Sequence, residues 1–507
     1  MSNTFSRLLA ATAISVCVGG TLFADELVIL TTNDTHSQIL PDADNLGGVM
    51  RRKVLIDSVR AEHENVLLID AGDVVQGTLF FNIGGGRAEE ELMNALGYDI
   101  RILGNHEFDN GADSLASILS VAKAELLSTN YDFTGSQLKP LFKKYTIRDI
   151  GGKRIGFMAI NLSPKGMIAE GNYDNVTYLD AIKAANSTAR YLKDAEGADL
   201  VVAITHIGYD PSMPPGDLDL VANSSDIDLV IGGHSHTTID PETSSSTNTP
   251  WLIKNKDGRL IPVTQTGKRG HNVGQITIDL DTDSIDYRLL AVDSRLDRTR
   301  LDDIADIIKP YMNGIDSLMT RRIGTSAMEF DKDRDPLLNF VADYMVTRGN
   351  QLAGNVDLGI INKGGLRTSL PKGDITEGMI IMMMPFNNYT TVLDIKGSDL
   401  LATFDVMART AGNGVSSNVS VLFDPATSKC ISAKIDGKPV DPDKTYRIAT
   451  IDYLANGGDY MEPLRNGKTV ARSPYVLYRD LIGHIEGSMK GKKLKASGEK
   501  RVRPISK

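Results

Sequence analysis

Short β-branched runs alternate with amphipathic stretches from Glu26 to about Leu290, and loops rich in Asp, Asn and His trail the runs. ELVIL leads into the stretch from Val49 to Arg60, and VLLID into that from Ala88 to Leu96. RILG, KRIGFMAI, DLVVAITH and DLVIGG continue the series, and LIPVTQ, VGQITIDL and IDYRLLAV close it. Periods near 2 and near 3.6 taken in turn predict α/β layers. Such a fold offers the carboxyl ends of its strands as a rim, which is where open α/β sheets place ligands. The polar loop Thr237 to Thr249, with its serines at 244 to 246, reads as an exposed insertion.

The pattern changes at Leu301 to Leu318. Ile304, Ile307, Ile308, Tyr311 and Ile315 recur there at helical spacing and predict a connecting helix, kinked or interrupted at Pro310. After Gly324 come a helix from Pro336 to Thr347, the strands DLGIIN, TTVLDI, VSVLF, ISAKI and TYRIAT, and a late helix near Tyr475 to Glu486. Asp436 and Gly437 mark a hairpin turn after ISAKI, and Ser398 suits the N-cap of a helix from Asp399 to Arg409. This half reads as α+β. With 507 residues and 41% hydrophobic content, two or three buried domains are expected.

Residues 1–24 resemble an export signal: Arg7 precedes an apolar run from Leu8 to Val18, and Ala24 stands before Asp25. Val16 before Cys17 is too large for a lipoprotein cleavage site, so release to the periplasm or exterior is expected. Once the signal is removed, Cys430 is the one remaining thiol and no intramolecular disulfide can form. No later segment has the ~18 apolar residues that a membrane span needs. A net charge of -10 leaves no electrostatic footprint for nucleic acid. The basic stretch from Lys490 to Lys507 reads as a solvated tail.

Five loops concentrate the polar ligands. NDTH gives Asn33, Asp34 and His36; AGDVVQGT gives Asp73; GNHEFD gives Asn105, His106, Glu107 and Asp109; THIG gives His206; and GGHSH gives His234 and His236. Five of the eight histidines fall in these loops, which solubility does not explain. In extended chain, residues two apart point the same way, so Asp34 with His36, and His234 with His236, are each expected to reach one site. Asp73 has two carboxylate oxygens and is able to bridge two cations. Oxygen and imidazole donors without sulfur suit Mn, Zn, Fe or Co. Two such divalent ions with two carboxylates and a hydroxide leave a net charge of about +1, which attracts phosphate.

In this order and spacing the motifs DxH, GDxxQGT, GNHEFD, THxG and GGHSHT resemble the calcineurin-like metallophosphoesterases. With the second half included, the chain resembles the 5′-nucleotidase family over nearly its whole length. The resemblance implies a four-layer αββα sandwich over 25–300, a linker helix over 301–322 and a substrate-binding α+β domain over 323–507. It further implies that Asp34, His36, Asp73 and His236 hold one metal ion and that Asp73, Asn105, His206 and His234 hold the other. His106 and Asp109 would form a catalytic dyad.

NKGGLR, MPFNN and DYLANGGD resemble the family's substrate loops. They imply that Phe386 and Tyr453 stack on a nucleobase, Arg367 meets phosphate or ribose oxygens, Asn362 the base edge, and Asp459 the ribose. Departures from the family pattern are Lys363 and Tyr460 where Gly is usual, Asn387 for Gly, and Tyr453 for Phe. The expected activity is metal-dependent hydrolysis of nucleoside monophosphates. Hydrolysis of UDP-sugars or 2′,3′-cyclic nucleotides on the same centre is the alternative, and a nucleotide-binding surface protein without turnover is the rival of another class.

Overall fold

A computed structural model describes residues 26–210, 215–244, 249–297, 301–410 and 413–505. The export segment 1–24 lies outside the described residues. Strand Glu26–Thr32 pairs in parallel with Val66–Asp70 and antiparallel with Asn272–Asp279, at the middle of a seven-stranded sheet. In a second sheet, of six strands, Leu200–His206 runs parallel to both Lys153–Asn161 and Leu229–Ile231.

The alternation along each strand builds the layers. Leu27 and Ile29 point into the apolar core between the sheets, with Phe157 and Val202. Val28 and Leu30 point the other way, into a core shared with Ile56 and Leu92 of helices Val49–Glu62 and Arg87–Leu96. Helix Ala181–Asp194, capped by the Asp180 carboxylate on the Lys183 N–H at 2.9 Å, covers the second sheet. The expected αββα order results, and the strand ends of both sheets converge on one rim.

The connecting helix is a single element, Asp302–Thr320. Ile304, Ile308 and Ile315 are buried in it, and Ile307 and Tyr311 pack alongside. It wedges between helices Leu79–Gly84 and Arg87–Leu96 on one side and helix Glu377–Met383 on the other, so one apolar core runs through both halves of the chain. Gly84 permits the approach, since a Cβ there would lie 2.8 Å from the Tyr311 ring. The expected interruption at Pro310 does not occur. The residue is exposed, so the carbonyl of Asp306 that it leaves without an N–H partner faces water.

Beyond the helix a five-stranded sheet, ordered Asn413–Val415, Leu358–Asn362, Thr445–Ile451, Tyr389–Lys396 and Lys468–Val476, carries helix Asp335–Leu352 on one face. The hairpin turn stands where expected, with Asp436 and Gly437 both at positive φ between paired Ile435 and Lys438.

Three local expectations are corrected. Helix Gly397–Thr410 starts one residue before Ser398, whose N–H instead meets the carbonyl of Pro442 at 2.9 Å. The Thr237 to Thr249 loop is not wholly exposed: Ile239 is fully buried and Thr238 bridges Thr266, while residues 245–248 lie outside the described part. The basic C-terminal stretch is folded rather than a solvated tail. Leu494 is buried in a strand paired with Thr325 and Ser326, and the buried Arg501 guanidinium binds both carboxylate oxygens of Asp343 at 2.9 Å. Among the described residues no helix is long and apolar enough to cross a membrane.

Candidate metal centre and active site

Each expected ligand stands at or just past a strand end. Asp34 and His36 follow Glu26–Thr32, Asp73 follows Val66–Asp70, Asn105 follows Ile100–Arg101, His206 ends its strand, and His234 and His236 follow Leu229–Ile231. The structure brings all of them together. Asp34, His36 and His236 form one group, Asp73, His206 and His234 a second, and His36, Asp73 and His106 a third, with the ligand atoms of each group within 4.8 Å of one another. The Asn105 side-chain oxygen joins the second group, 3.0 Å from His234 Nδ1.

The backbone reason differs from the expected one. These loops are not extended: φ is positive at Asp34 (50°), His36 (48°), Asp73 (57°), His234 (75°) and His236 (57°). Left-handed backbone at a residue with a side chain costs about 1–3 kcal/mol and persists only where its surroundings enforce it. The enforcement is visible. The N–H of Asp34 meets Gly72 O at 2.9 Å, that of His36 meets Asp73 O at 3.0 Å, and that of His234 meets Asp34 Oδ2 at 2.9 Å. Two glycines leave the room required: a Cβ on Gly104 would sit 2.2 Å from Asp73 Oδ1, and one on Gly233 would sit 2.8 Å from the His206 ring.

Three further residues hold the ligands in place. Asn33 gives its side-chain N–H to Asp34 Oδ2 (2.6 Å) and Gly267 O (2.8 Å) while accepting the N–H and hydroxyl of Thr266. Glu107, buried, accepts the N–H groups of Asp73, Val74 and Gly104 and so ties two ligand loops together. Gln265 binds Gly233 O at 2.9 Å and the Thr237 N–H, fixing the GGHSH loop. Asn33 and Glu107 lie inside the motifs read from the sequence; for Gln265 the one available signal was its place at a strand end.

The donor set fits metal ions. Asp34 Oδ1 and His206 Nε2 are buried without a hydrogen-bond partner, although burying such atoms unpaired is costly. His206 Nε2 lies 3.2 Å from Asp73 Oδ2, near enough for attraction but poorly directed for a hydrogen bond. Its other nitrogen, Nδ1, donates to Ala71 O at 2.7 Å, the outer contact that usually fixes a metal-binding imidazole. His36 Nε2 and His236 Nε2 approach to 2.9 Å with Asp34 Oδ1 3.4 Å from the second, so three lone-pair donors converge. Burial and the neighbouring His236 hold His36 well below the usual imidazole range, and burial with His206 pulls His234 down to about 4. Both are therefore neutral donors at neutral pH. His206 goes the other way: burial opposes its charge, but the Asp73 carboxylate outweighs it and lifts the ring to about 10.

His106 Nδ1 is 3.0 Å from Asp109 Oδ2. Burial disfavours the imidazolium, yet Asp109 and Asp73 together raise its pKa. Both residues line a cavity of about 920 Å³ between the two halves, which Asp73, Asn105, His234 and His236 also face. All five substrate candidates line it: Asn362, Arg367, Phe386, Tyr453 and Asp459. The Phe386 ring stacks 5.7 Å from His106 at 28°, with the Arg367 guanidinium 5.8 Å from its centroid. Asp459 is held by Asn362 Nδ2 at 2.6 Å and by the Tyr453 hydroxyl at 2.9 Å. Arg409 and Arg334 do not line this cavity; both are exposed, and Arg334 pairs with Asp331. His63 and His271 face the carboxylates of Glu26 and Asp42, away from the site.

Nitrogen and oxygen donors grouped at the rim of an αββα sandwich, with a second domain facing them, define a metal-dependent phosphoester hydrolase. The model of the calcineurin-like phosphoesterase family matches residues 27–238, and that of the 5′-nucleotidase C-terminal domain matches residues 318–465. The chain belongs to the 5′-nucleotidase family of metallophosphoesterases. It is 29% identical to an apyrase of Tabanus yao over 487 residues, covering 86% of this chain and 85% of the relative. It is 26% identical to a 5′-nucleotidase of Rattus norvegicus over 495 residues, 87% and 84% of the two chains. The crystal structure of a 5′-nucleotidase precursor from Thermus thermophilus superposes with a TM-score of 0.83 at 28% identity, over 95% of this chain and all of that one.

Proposed function

We propose that this protein releases phosphate from nucleoside 5′-monophosphates. In this reading Asp34, His36, Asp73 and His236 hold one divalent ion, Asp73, Asn105, His206 and His234 hold the other, and the division of the chain falls at the helix within 301–322. When bound, such a pair supplies Lewis acidity and a water of lowered pKa. The chain's own groups do the rest. Arg367 neutralises and orients the phosphoryl oxygens. His106, held through Nδ1 by Asp109 and favoured in its cationic form by its carboxylate neighbours, leaves Nε2 to donate a proton to the departing ribose oxygen. Phe386 and Tyr453 give the base apolar surfaces, a contact of ~1–3 kcal/mol per base that tolerates different bases. Asn362 and Asp459 meet the base edge and ribose. Opening about the linker admits the nucleotide, because ligands of phosphate and of base come from opposite halves. Export to the periplasm or exterior belongs to the same reading, supported by residues 1–24 and by the word precursor in the name of the Thermus relative.

The observation that carries this is the junction of two ligand groups next to His106 and beneath a cavity of nucleotide size. The test is a panel of AMP, UDP-glucose and 2′,3′-cyclic AMP with defined metals after chelation. AMP should give the highest kcat/KM, and Asp73→Ala should lose at least ~10³-fold, the scale of losing a key electrostatic group. A preference for UDP-glucose or the cyclic diester would replace the monoester reading, and undiminished turnover in Asp73→Ala would remove it.

A further inference from the structure

The two sheets of the first domain meet through apolar side chains such as Ile29 and Phe157, and such contacts have no direction of their own. The proposed second ion draws on both sheets. Asp73 and Asn105 follow strands Val66–Asp70 and Ile100–Arg101 of the seven-stranded sheet, while His206 ends a strand of the six-stranded sheet and His234 follows another. The distances among these ligands therefore depend on how the sheets are tied together at the rim. One tie is His206 itself, whose Nδ1 meets Ala71 O at 2.7 Å and fixes the ring against the Asp73 loop. The GNHEFD loop, which carries Asn105, has a tie of its own to the second sheet.

Asn161 makes that tie. It ends strand Lys153–Asn161, is 1% exposed, and stands beside His206 in the parallel register, with the Leu162 N–H on His206 O at 3.3 Å. Its Nδ2 donates to the carbonyl oxygen of Leu103, just ahead of Gly104 and Asn105. The same oxygen passes the Asp73 loop so closely that a Cβ on Gly72 would lie 2.8 Å from it. Asn130, fully buried, holds Asn161 in turn: its Oδ1 accepts the Asn161 N–H at 2.7 Å and its Nδ2 donates to Asn161 O at 2.8 Å. The Asn161 amide has one orientation, because the reverse would set two oxygens against each other. Its Oδ1 is thereby left buried without a partner, which is unfavourable. Leucine would fill a similar volume without that cost, so what the amide supplies is the bond to Leu103. We propose that Asn161 is a positioning residue for the second metal ion, setting the span between Asn105 and His206 across the two sheets. The proposal rests on the metal-ligand reading above and goes beyond it, since Asn161 belongs to none of the five loops and does not line the nucleotide cavity. The first ion is expected to be indifferent to this tie. Its ligands Asp34 and His36 are held by Gly72, Asp73 and Asn33, and the loop of His236 by Gln265.

The test titrates Mn²⁺ into chelated wild type and Asn161→Leu by calorimetry, with phosphate release from AMP measured on the same samples. The leucine keeps the volume and removes the donor. Asn161→Ser, too short to reach Leu103 O, carries the same measurement if the leucine variant does not fold. The expected result is a second ion bound about ten- to a hundredfold more weakly, the scale for losing an outer contact of a metal site, with the first ion within about threefold of wild type. Turnover should return toward the wild-type kcat as Mn²⁺ is raised to refill the site. A merely structural role would not split the two affinities in this way. Both ions within about threefold of wild type in a folded variant would overturn the proposal. So would a weakening of both ions alike with turnover that excess Mn²⁺ does not restore, the mark of a general loss of structure. Failure of the underlying reading shows in the wild type: two ions bound without turnover of AMP would remove the nucleotidase reading and leave the affinity split to decide on Asn161, whereas no ion bound would overturn both.

Discussion

Asp73 is the residue on which the two ligand groups meet. Its Oδ1 accepts the His106 N–H at 2.9 Å and its Oδ2 faces His206 at 3.2 Å, and although burial resists its charge, His206 and His106 hold its carboxyl well below the usual range. In the metal-free protein the pair is therefore carboxylate with imidazolium. The sign for metal uptake follows. His206 is protonated below about 10 without metal, so an ion that takes its Nε2 must expel a proton, and affinity should rise with pH through the neutral range. Calorimetry in buffers of different ionisation enthalpy should find about one proton released per chain at pH 7, lost in His206→Ala. No buffer dependence would mean that His206 keeps its proton and is no ligand. The candidate donors were legible because Asp, Asn and His stranded after apolar runs have few structural reasons to be there. Their conformation was not. Asp34 and His36 converge through left-handed backbone imposed by hydrogen bonds from residues 72 and 73, which spacing along the chain does not encode. Gln265 was likewise hidden, since it acts on a loop more than thirty residues away.

At the scale of elements, alternation located strands and helices well because each sheet has one face toward the other sheet and one toward helices. Leu27 and Val28 show the rule residue by residue. It failed where a local signal met tertiary support. Pro310 should end a helix by its own chemistry, yet Ile304, Ile308 and Ile315 anchor the turns on both sides of it in the core shared by the two halves. The support outweighs a penalty of ~3 kcal/mol. Pro310→Ala should therefore raise the midpoint of thermal unfolding by restoring the hydrogen bond to Asp306, with kcat on AMP unchanged. A lowered midpoint would mean that Pro310 fits a bend that the packing needs. The basic C-terminus misled for the same kind of reason. Arg501 and Leu494 are ordered by partners at Asp343 and Thr325 that charge composition cannot reveal.

Across the whole molecule, the centre is completed only where the halves meet. Gly166 O accepts both the Asp459 N–H (2.8 Å) and the Tyr453 hydroxyl (3.1 Å), Arg465 pairs with Glu170 at 2.7 Å, and Asn82 donates to Pro385 O at 2.9 Å. These contacts hold Arg367 and Phe386 against His106 and enclose the cavity in which a nucleotide would lie. In the proposed reading the second domain supplies the recognition and the first the chemistry, and the two family models match these two parts of the chain separately. The deciding measurement is elemental analysis of chelated protein titrated with Mn²⁺, with phosphate release from AMP followed on the same samples. Uptake of two ions per chain, with turnover appearing only as both sites fill, is the expected result; full turnover in protein stripped of metal would contradict it.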